Sequence, residues 1–414
     1  MKKGYLSEYF EGVAAKRLSA VEVDTSVSHQ HEFHGGKPIR ELLGEPEGHV
    51  KYRVKMMYLN DQTDDLIVED STLTWYDARE KRRLEGVIRW EYRLYFKTTV
   101  VSLKATVGDL LVIAKLRDGS LLAIIAERES SIASQIEWLF GFTDFPKQGF
   151  AGKSDLDFEQ NRIQFASRYI LENIGIAVES SDENYLDRML SEFEGQFPST
   201  SDFSAYARST LSDVDARSEP DLALLAWMER EEILFRTLEH YLIKDRISKG
   251  FAGEGSAGVD VDGFLDFSLS VQNRRKSRAG LALENHVEQL FKENELDYER
   301  GARTENSTKP DFLFPSKAKY DDLDFDSWKL TMLGVKSTCK DRWRQVLAEA
   351  ERIDYKHLLT LQPAISKSQT KEMVSNRLQL VLPSKLHETF TNQQQEWLMD
   401  IKGFIDMVRV RQTS

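Results

Sequence analysis

Four short stretches in the last third of the chain constrain its fold more than any other feature. Residues 311–314, 330–335, 357–361 and 378–382 are brief apolar runs of strand length. Between the second and third lies 341–353, where Trp343, Val346, Leu347, Ala350 and Ile353 recur at helical spacing. Strand, helix, strand in that order is a crossover that brings the chain back to a parallel neighbour. The C-terminal part is therefore expected to be an α/β domain with a partly parallel sheet. Helical patterns at 221–243 and 281–293 lead into it.

The polar residues around these strands suggest chemistry. Lys309-Pro310-Asp311 opens the first strand, Lys336 closes the second, and Glu349 falls inside the predicted helix. Hydrolysing a phosphodiester needs such a set: carboxylates hold Mg²⁺ through oxygen, a metal activates water and absorbs charge on the phosphate, and a lysine steadies the anion. Spacing alone supports no more than a nuclease hypothesis, because Pro-Asp is common. A second copy, Pro220-Asp221, runs straight into apolar helix and reads as helix-start chemistry. Arg342, Gln345 and Glu349 share one stripe beside the apolar one, so a carboxylate at 349 can point along the core edge toward the strand ends. A solvated Glu349 paired with a neighbouring arginine fits the pattern equally well.

Longer stretches decide between these readings. Asn273-Arg274-Arg275-Lys276-Ser277-Arg278-Ala279-Gly280, Lys309-Pro310-Asp311-Phe312-Leu313-Phe314-Pro315-Ser316 and the run from Lys336 to Gln345 closely resemble the EcoRII-like type IIE restriction endonucleases of the PD-(D/E)xK superfamily. The resemblance covers the C-terminal half nearly throughout. A weaker one, Lys16-Arg17-Leu18-Ser19-Ala20 followed by His29-Gln30, reaches into that family's N-terminal effector domain.

The resemblance implies an α+β protein of two domains: a β pseudobarrel that binds DNA as effector, then a restriction-endonuclease-like α/β domain. It implies Mg²⁺-dependent cleavage of both DNA strands at a palindromic CCWGG or CCNGG site, activated by a second site copy at the N-terminal domain. Asp311 and Glu349 would bind metal, Lys336 would orient the attacking hydroxide, and Glu284 and Tyr320 would complete the catalytic set. In the common signature an acid stands two residues before the lysine; that position is Gly334 here, and this family takes the acid from the helix instead. Glu284, at the border of a face formed by Leu283, Val287, Leu290 and Phe291, is expected to meet a metal-bound water or Lys336.

DNA contacts follow from the same resemblance. Lys340, Asp341 and Arg342, at a helix start in the major groove, would read adjacent C·G pairs. Arg274, Arg275, Lys276 and Arg278 would hold phosphates, and Trp227 lies near the family's stacking position for flipped bases, although a core tryptophan fits there too. Symmetric DNA implies a homodimer. A methyltransferase would act on the same site without binding this chain.

Residues 1 to about 150 read as mostly β, with strands at 51–58, 87–96, 110–114 and 121–125 and a helix at 132–140, and a helical pattern at 158–176 closes an N-terminal domain of residues 1–176. A linker is expected at 177–196 and the catalytic domain at 197–414. His29 and His34 match the region of the family's DNA-gripping arms, although a tyrosine stands in the family at the second position. Without nearby acids, His29, His31 and His34 are a weak metal site. Arg79, Lys81, Arg82, Arg83, Arg89 and Arg93 form either a DNA-binding loop or a solvated hairpin. The net charge of −12 argues against a globally basic binder, but phosphate contact depends on local patches.

Cys339 is the only cysteine, which excludes an internal disulfide or a cysteine zinc site. No apolar run reaches membrane length and no apolar signal segment follows Lys2-Lys3, so a cytoplasmic protein is expected. Two alternatives remain: a repair-type nuclease on the same fold, and a DNA-binding regulator with a defunct nuclease half.

Overall fold

The structure is a computed structural model that describes residues 4–23, 31–62, 67–80, 86, 90–147, 149–157, 164–176, 178, 182–252, 258–340 and 342–413. It divides into two compact units, Met1–Ala177 with Pro363–Lys371, and Val178–Gln362 with Glu372–Ser414.

The first unit is built on eight strands: β1 Phe10–Arg17, β2 Glu32–His34, β3 Val50–Leu59, β4 Ile67–Asp77, β5 Tyr92–Phe96, β6 Leu110–Leu116, β7 Leu121–Ala126 and β8 Ala151–Lys153. They form one sheet in the order β2-β5-β4-β3-β7-β6-β1-β8, in which only β3 and β7 pair in parallel. Alternation places Leu111, Ile113, Leu121, Ala123 and Ile125 in one core with Val54, Met56, Trp75, Leu94 and Phe96. The other face of β6 and β7 is covered as well, and this is why these strands read as unbroken apolar runs.

The sheet curls. Phe33 on one edge strand and Phe150, beside the other, meet edge-to-face with ring centroids 6.3 Å apart. A Cβ added at Gly152 of β8 would lie 2.8 Å from Pro38, in helix α1, Lys37–Leu43. Only glycine allows that approach. The predicted helix at 132–140 is α2, Ser131–Phe140. The sequence reading missed β1, with its Gly and Ala residues, and β4, whose outer half carries Glu69 and Asp70 rather than an apolar alternation.

In the second unit, the long helices α4, Pro220–Lys249, and α5, Val261–Glu293, follow the shorter α3, Thr200–Ser209. Residues 186–192, expected in a linker, form a helix that places Met189 in a core with Phe203, Leu234 and Leu238. Asp221 does more than start α4. Its carboxylate accepts N–H bonds from Ser384 (2.9 Å), Ile401 (3.0 Å) and Lys402 (3.1 Å), the last two opening helix α7, Ile401–Thr413.

A five-stranded sheet follows, from β9 Glu299–Arg300, β10 Phe312–Phe314, β11 Thr331–Val335, β12 Lys356–Leu359 and β13 Leu378–Val381. Its order is β13-β12-β11-β10-β9. The β9–β10 and β10–β11 pairs are antiparallel, whereas β11–β12 and β12–β13 are parallel, as the crossover requires. Phe291 of α5 holds the sheet to the helices: its ring lies 5.1 Å from Phe312 and 5.2 Å from Phe314, each edge-to-face. The crossover helix α6 is Arg342–Leu347 only, shorter than the predicted 341–353. No described helix is long and apolar enough to cross a membrane.

Candidate active site

Asp311 sits immediately before β10, and Lys336 immediately after β11, its antiparallel neighbour. Antiparallel pairing brings the start of one strand beside the end of the next, so residues far apart in sequence meet here. Asp311 Oδ2 accepts a bond from the Val335 N–H (2.6 Å) and another from Lys336 Nζ (2.8 Å). Lys336 N–H in turn donates to Leu359 O (2.9 Å), which ties the lysine to β12.

Gly334 explains why the acid two residues before the lysine is absent. A Cβ there would lie 2.7 Å from Val346 Cγ2, because the glycine faces α6 across the sheet. An aspartate or glutamate at 334 would collide with the crossover helix. The second acid must come from elsewhere, and Glu349 is at hand.

Glu349 does not occupy the expected helical position. The helix ends at Leu347 and Ala350 takes φ 49°, so the shared stripe of Arg342, Gln345 and Glu349 does not exist. Arg342 and Gln345 are exposed, while Glu349 is only 8% exposed. The carboxylate is aimed by a turn. Burial, opposed by the Lys336 ammonium and aided by the Asp311 carboxylate, pushes the Glu349 pKa from 4.5 up to about 7. Its Oε2 is buried without a hydrogen-bond partner. A buried, unbonded carboxylate oxygen beside another carboxylate and an ammonium is costly and matches what a hard cation requires. Among the described residues no three His, Cys, Asp or Glu side chains gather as a ready cage; two carboxylates fit a magnesium-type ion, which keeps several waters.

The turn after Glu349 is held from outside. Ala350 N–H donates to Thr304 Oγ1 (3.3 Å), Glu351 N–H to Glu305 Oε2 (3.3 Å) and Arg352 N–H to the Tyr320 hydroxyl (3.1 Å). That hydroxyl donates to Glu305 (2.6 Å to Oε2), and this bond, with burial as the larger cause, holds the phenol proton firmly. Tyr320 is thus buried and braces the turn.

Glu284 differs from expectation. Its partner is neither Lys336 nor an open position but Arg300, at 2.9 Å. Arg300 also binds Glu288 (2.7 Å) and lies on β9 opposite Phe312, so this cluster braces the strand that starts at Asp311. Arg300 had no signal in the sequence beyond its type.

The basic residues before Glu284 are largely engaged. Arg278 is 9% exposed and pairs with Glu231 (3.3 Å) and Glu232. Arg275 pairs with Glu239 (2.5 Å), and the Arg274 guanidinium lies over the Phe197 ring, 4.2 Å from its centroid. Arg275 and Arg278 are thus engaged by acids, whereas Lys276 is exposed, and α5 runs unbroken through all four basic residues. Trp227 is 5% exposed beside His286; it is a core residue here and presents no face to a base.

Lys340, with φ 27°, and the exposed Arg342 flank the turn into α6, whereas Asp341 lies outside the described residues. In the first unit His34 is exposed on β2. Arg79 (2.5 Å) and Arg93 share Glu91. His29, Lys81, Arg82, Arg83 and Arg89 lie outside the described residues. Cys339 is fully buried, and burial pushes its thiol up to about 12, so it is an inert core residue.

Residues 235–405 match the family model described as EcoRII C terminal. Among curated proteins, the type II restriction enzyme EcoRII of Escherichia coli is 40% identical over 232 residues, covering 56% of this chain and 55% of that enzyme. The match thus spans about half the length of the relative. Among solved structures, metal-depleted Ecl18kI in complex with uncleaved, modified DNA aligns with a TM-score of 0.42 and 16% identity, over 56% of this chain and 84% of that one. The PspGI restriction endonuclease–substrate DNA complex aligns with a TM-score of 0.40 and 14% identity, over 59% and 96%. Asp311, Lys336, Glu349, Glu284 and Tyr320 all lie within the residues 235–405 that match that family model.

Proposed function

We propose that the chain is a type II restriction endonuclease, a site-specific deoxyribonuclease of the EcoRII kind. It would cut both strands of DNA at a CCWGG- or CCNGG-type palindrome with Mg²⁺, as a homodimer in the cytoplasm, and a second site copy on the N-terminal unit would activate it. The observation that carries the reading is the Asp311–Lys336–Glu349 cluster, whose buried Glu349 oxygen lacks a partner.

Asp311 and Glu349 would hold the divalent ion, which when bound activates water and offsets charge on the phosphate. The protein's own groups prepare the site. The Val335 N–H and Lys336 keep one Asp311 oxygen fixed. The Lys336 ammonium, 2.8 Å from Asp311 Oδ2, would stand where it could stabilise negative charge developing on the phosphate or on the attacking water. Glu284, through Arg300, and Tyr320, through Glu305 and Arg352, keep the two acid-bearing segments in place. Lys340, Asp341 and Arg342 would contact base edges. Arg274, Arg275, Arg278 and Trp227 would serve as DNA contacts where DNA binding frees them, and His29, His34, Arg79, Lys81, Arg82 and Arg83 would contact DNA from the first unit.

Digesting a sequenced plasmid that carries these palindromes, with and without Mg²⁺, and sequencing the fragment ends tests the proposal. Cuts confined to one short palindrome support it. Site-independent nicking would favour a repair nuclease, and binding without cleavage a regulator.

A further inference from the structure

Lys356 opens β12 and is only 7% exposed, an uncommon place for a lysine. Its ammonium donates to two main-chain carbonyls, that of Glu349 and, at 3.3 Å, that of Ala350. Carbonyls at a helix end have no partner within the helix, and these two belong to the turn in which Ala350 takes φ 49°. An alanine persists in left-handed backbone only where its surroundings hold it there. Thr304, Glu305 and Tyr320 hold the N–H groups of residues 350–352, and Lys356 holds the carbonyls of Glu349 and Ala350. The strands on which Lys336 and Lys356 depend are adjacent, since β11 pairs with β12.

We propose that Lys356 is a positioning residue for metal capture: by tying the Glu349 and Ala350 carbonyls, its ammonium fixes the turn that presents the Glu349 carboxylate to Asp311 and Lys336. This rests on reading the Asp311–Lys336–Glu349 cluster as a metal-binding nuclease site. Lys336 then acts at the reacting groups, whereas Lys356 acts only through Glu349.

The test uses the full chain with Mn²⁺ alone as probe, its binding read by titration calorimetry without DNA, alongside cleavage kinetics. Lys356→Met keeps the aliphatic stem and removes the donor. The Mn²⁺ Kd is expected to rise about 10–100-fold, and kcat to fall by a similar factor while KM for DNA changes little. Lys356→Arg, which can still donate to both carbonyls, is expected to lie closer to the parent in Mn²⁺ affinity than Lys356→Met. A folded Lys356→Met protein that binds Mn²⁺ like the parent overturns the proposal. If Lys356→Met does not fold, Lys356→Gln takes its place under the same criterion, and a Gln variant that binds no more weakly than the Arg variant overturns it. Asp311→Ala separates the two readings. If the parent binds no Mn²⁺, or Asp311→Ala binds it equally well, the metal-site reading fails and this inference with it. Binding lost in Asp311→Ala but kept in Lys356→Met overturns this inference alone.

Discussion

The second unit buries two groups of acids, and they are built in opposite ways. Between α4 and α5, Glu231 is fully buried, with Arg278 at 3.3 Å and His286 Nε2 at 2.9 Å. Arg208 closes this group, 3.0 Å from the other His286 nitrogen. The guanidiniums of Arg208 and Arg278 stand near that acid, while burial pushes the His286 pKa down and keeps the ring neutral. At the sheet edge, Asp311 and Glu349 share the Lys336 ammonium, the Lys356 ammonium is engaged by main-chain carbonyls, one carboxylate oxygen stays unbonded, and the Glu349 pKa is driven up. Glu231 thus meets arginines between two helices, whereas Glu349 at the sheet edge meets lysines and a second acid.

Breaking each side of this contrast should have different consequences. The largest effect is expected at the sheet edge: Lys336→Ala should lower the cleavage rate by about 10³-fold or more, since it removes stabilisation of the charge that develops on phosphate or hydroxide. Its thermal midpoint should stay close to the parent's, and single-turnover kinetics with calorimetry would check both. A Lys336→Ala enzyme that cuts normally would end the assignment.

On the helix side, Glu231→Leu should leave His286 without its acid and Arg278 with Glu232 alone. The expected cost is about 3–5 kcal/mol of stability, seen as a lower urea midpoint. The cleavage rate per folded molecule should change little. A large loss of rate at unchanged stability would erase the contrast.

A pH series sharpens it further. The Glu349 pKa is raised in the folded state, so the folded protein binds the proton more tightly than the unfolded chain. This group therefore lowers stability as pH rises from about 4.5 through about 7. In metal-free protein, Glu349→Gln should flatten that fall and be more stable than the parent at pH 8, by about 1 kcal/mol. Adding Mg²⁺ should stabilise the parent and not the variant. Equal pH profiles for the two proteins would show that Glu349 is ordinarily solvated.

The smallest signal is in proton counting. Metal binding at pH 6 should release close to one proton, because Glu349 must ionise to bind, and the release should fade above pH 8. Calorimetry in buffers of different ionisation enthalpy would measure it.

Much of this arrangement was legible in the chain. The apolar runs at 311–314, 330–335, 357–361 and 378–382 all became strands, with the parallel pairs where a crossover requires them. The buried face of Leu283, Val287, Leu290 and Phe291 appeared as the spacing indicates. Helix lengths were less legible. The first half of α5 carries Val261, Phe264, Leu265 and Leu269 at helical spacing, yet all four remain exposed, and the sequence reading placed no helix there. The end of α6 was missed the other way: Ala350 and Ile353 keep helical spacing and are buried, yet the backbone has already turned.

Residue types and their order by themselves placed Asp311 and Lys336 at strand ends, a crossover between β11 and β12, and no acid at Gly334; Glu349 as the second acid came only from the family resemblance. Local spacing and composition are written in one dimension, which suffices for the first three. Only the tertiary structure decided what each charge meets. It assigned Arg278 to Glu231, Glu284 to Arg300, and Lys356 to the carbonyls beside Glu349. Partners distant along the chain are chosen by packing, and burial sets how strongly each charge needs one.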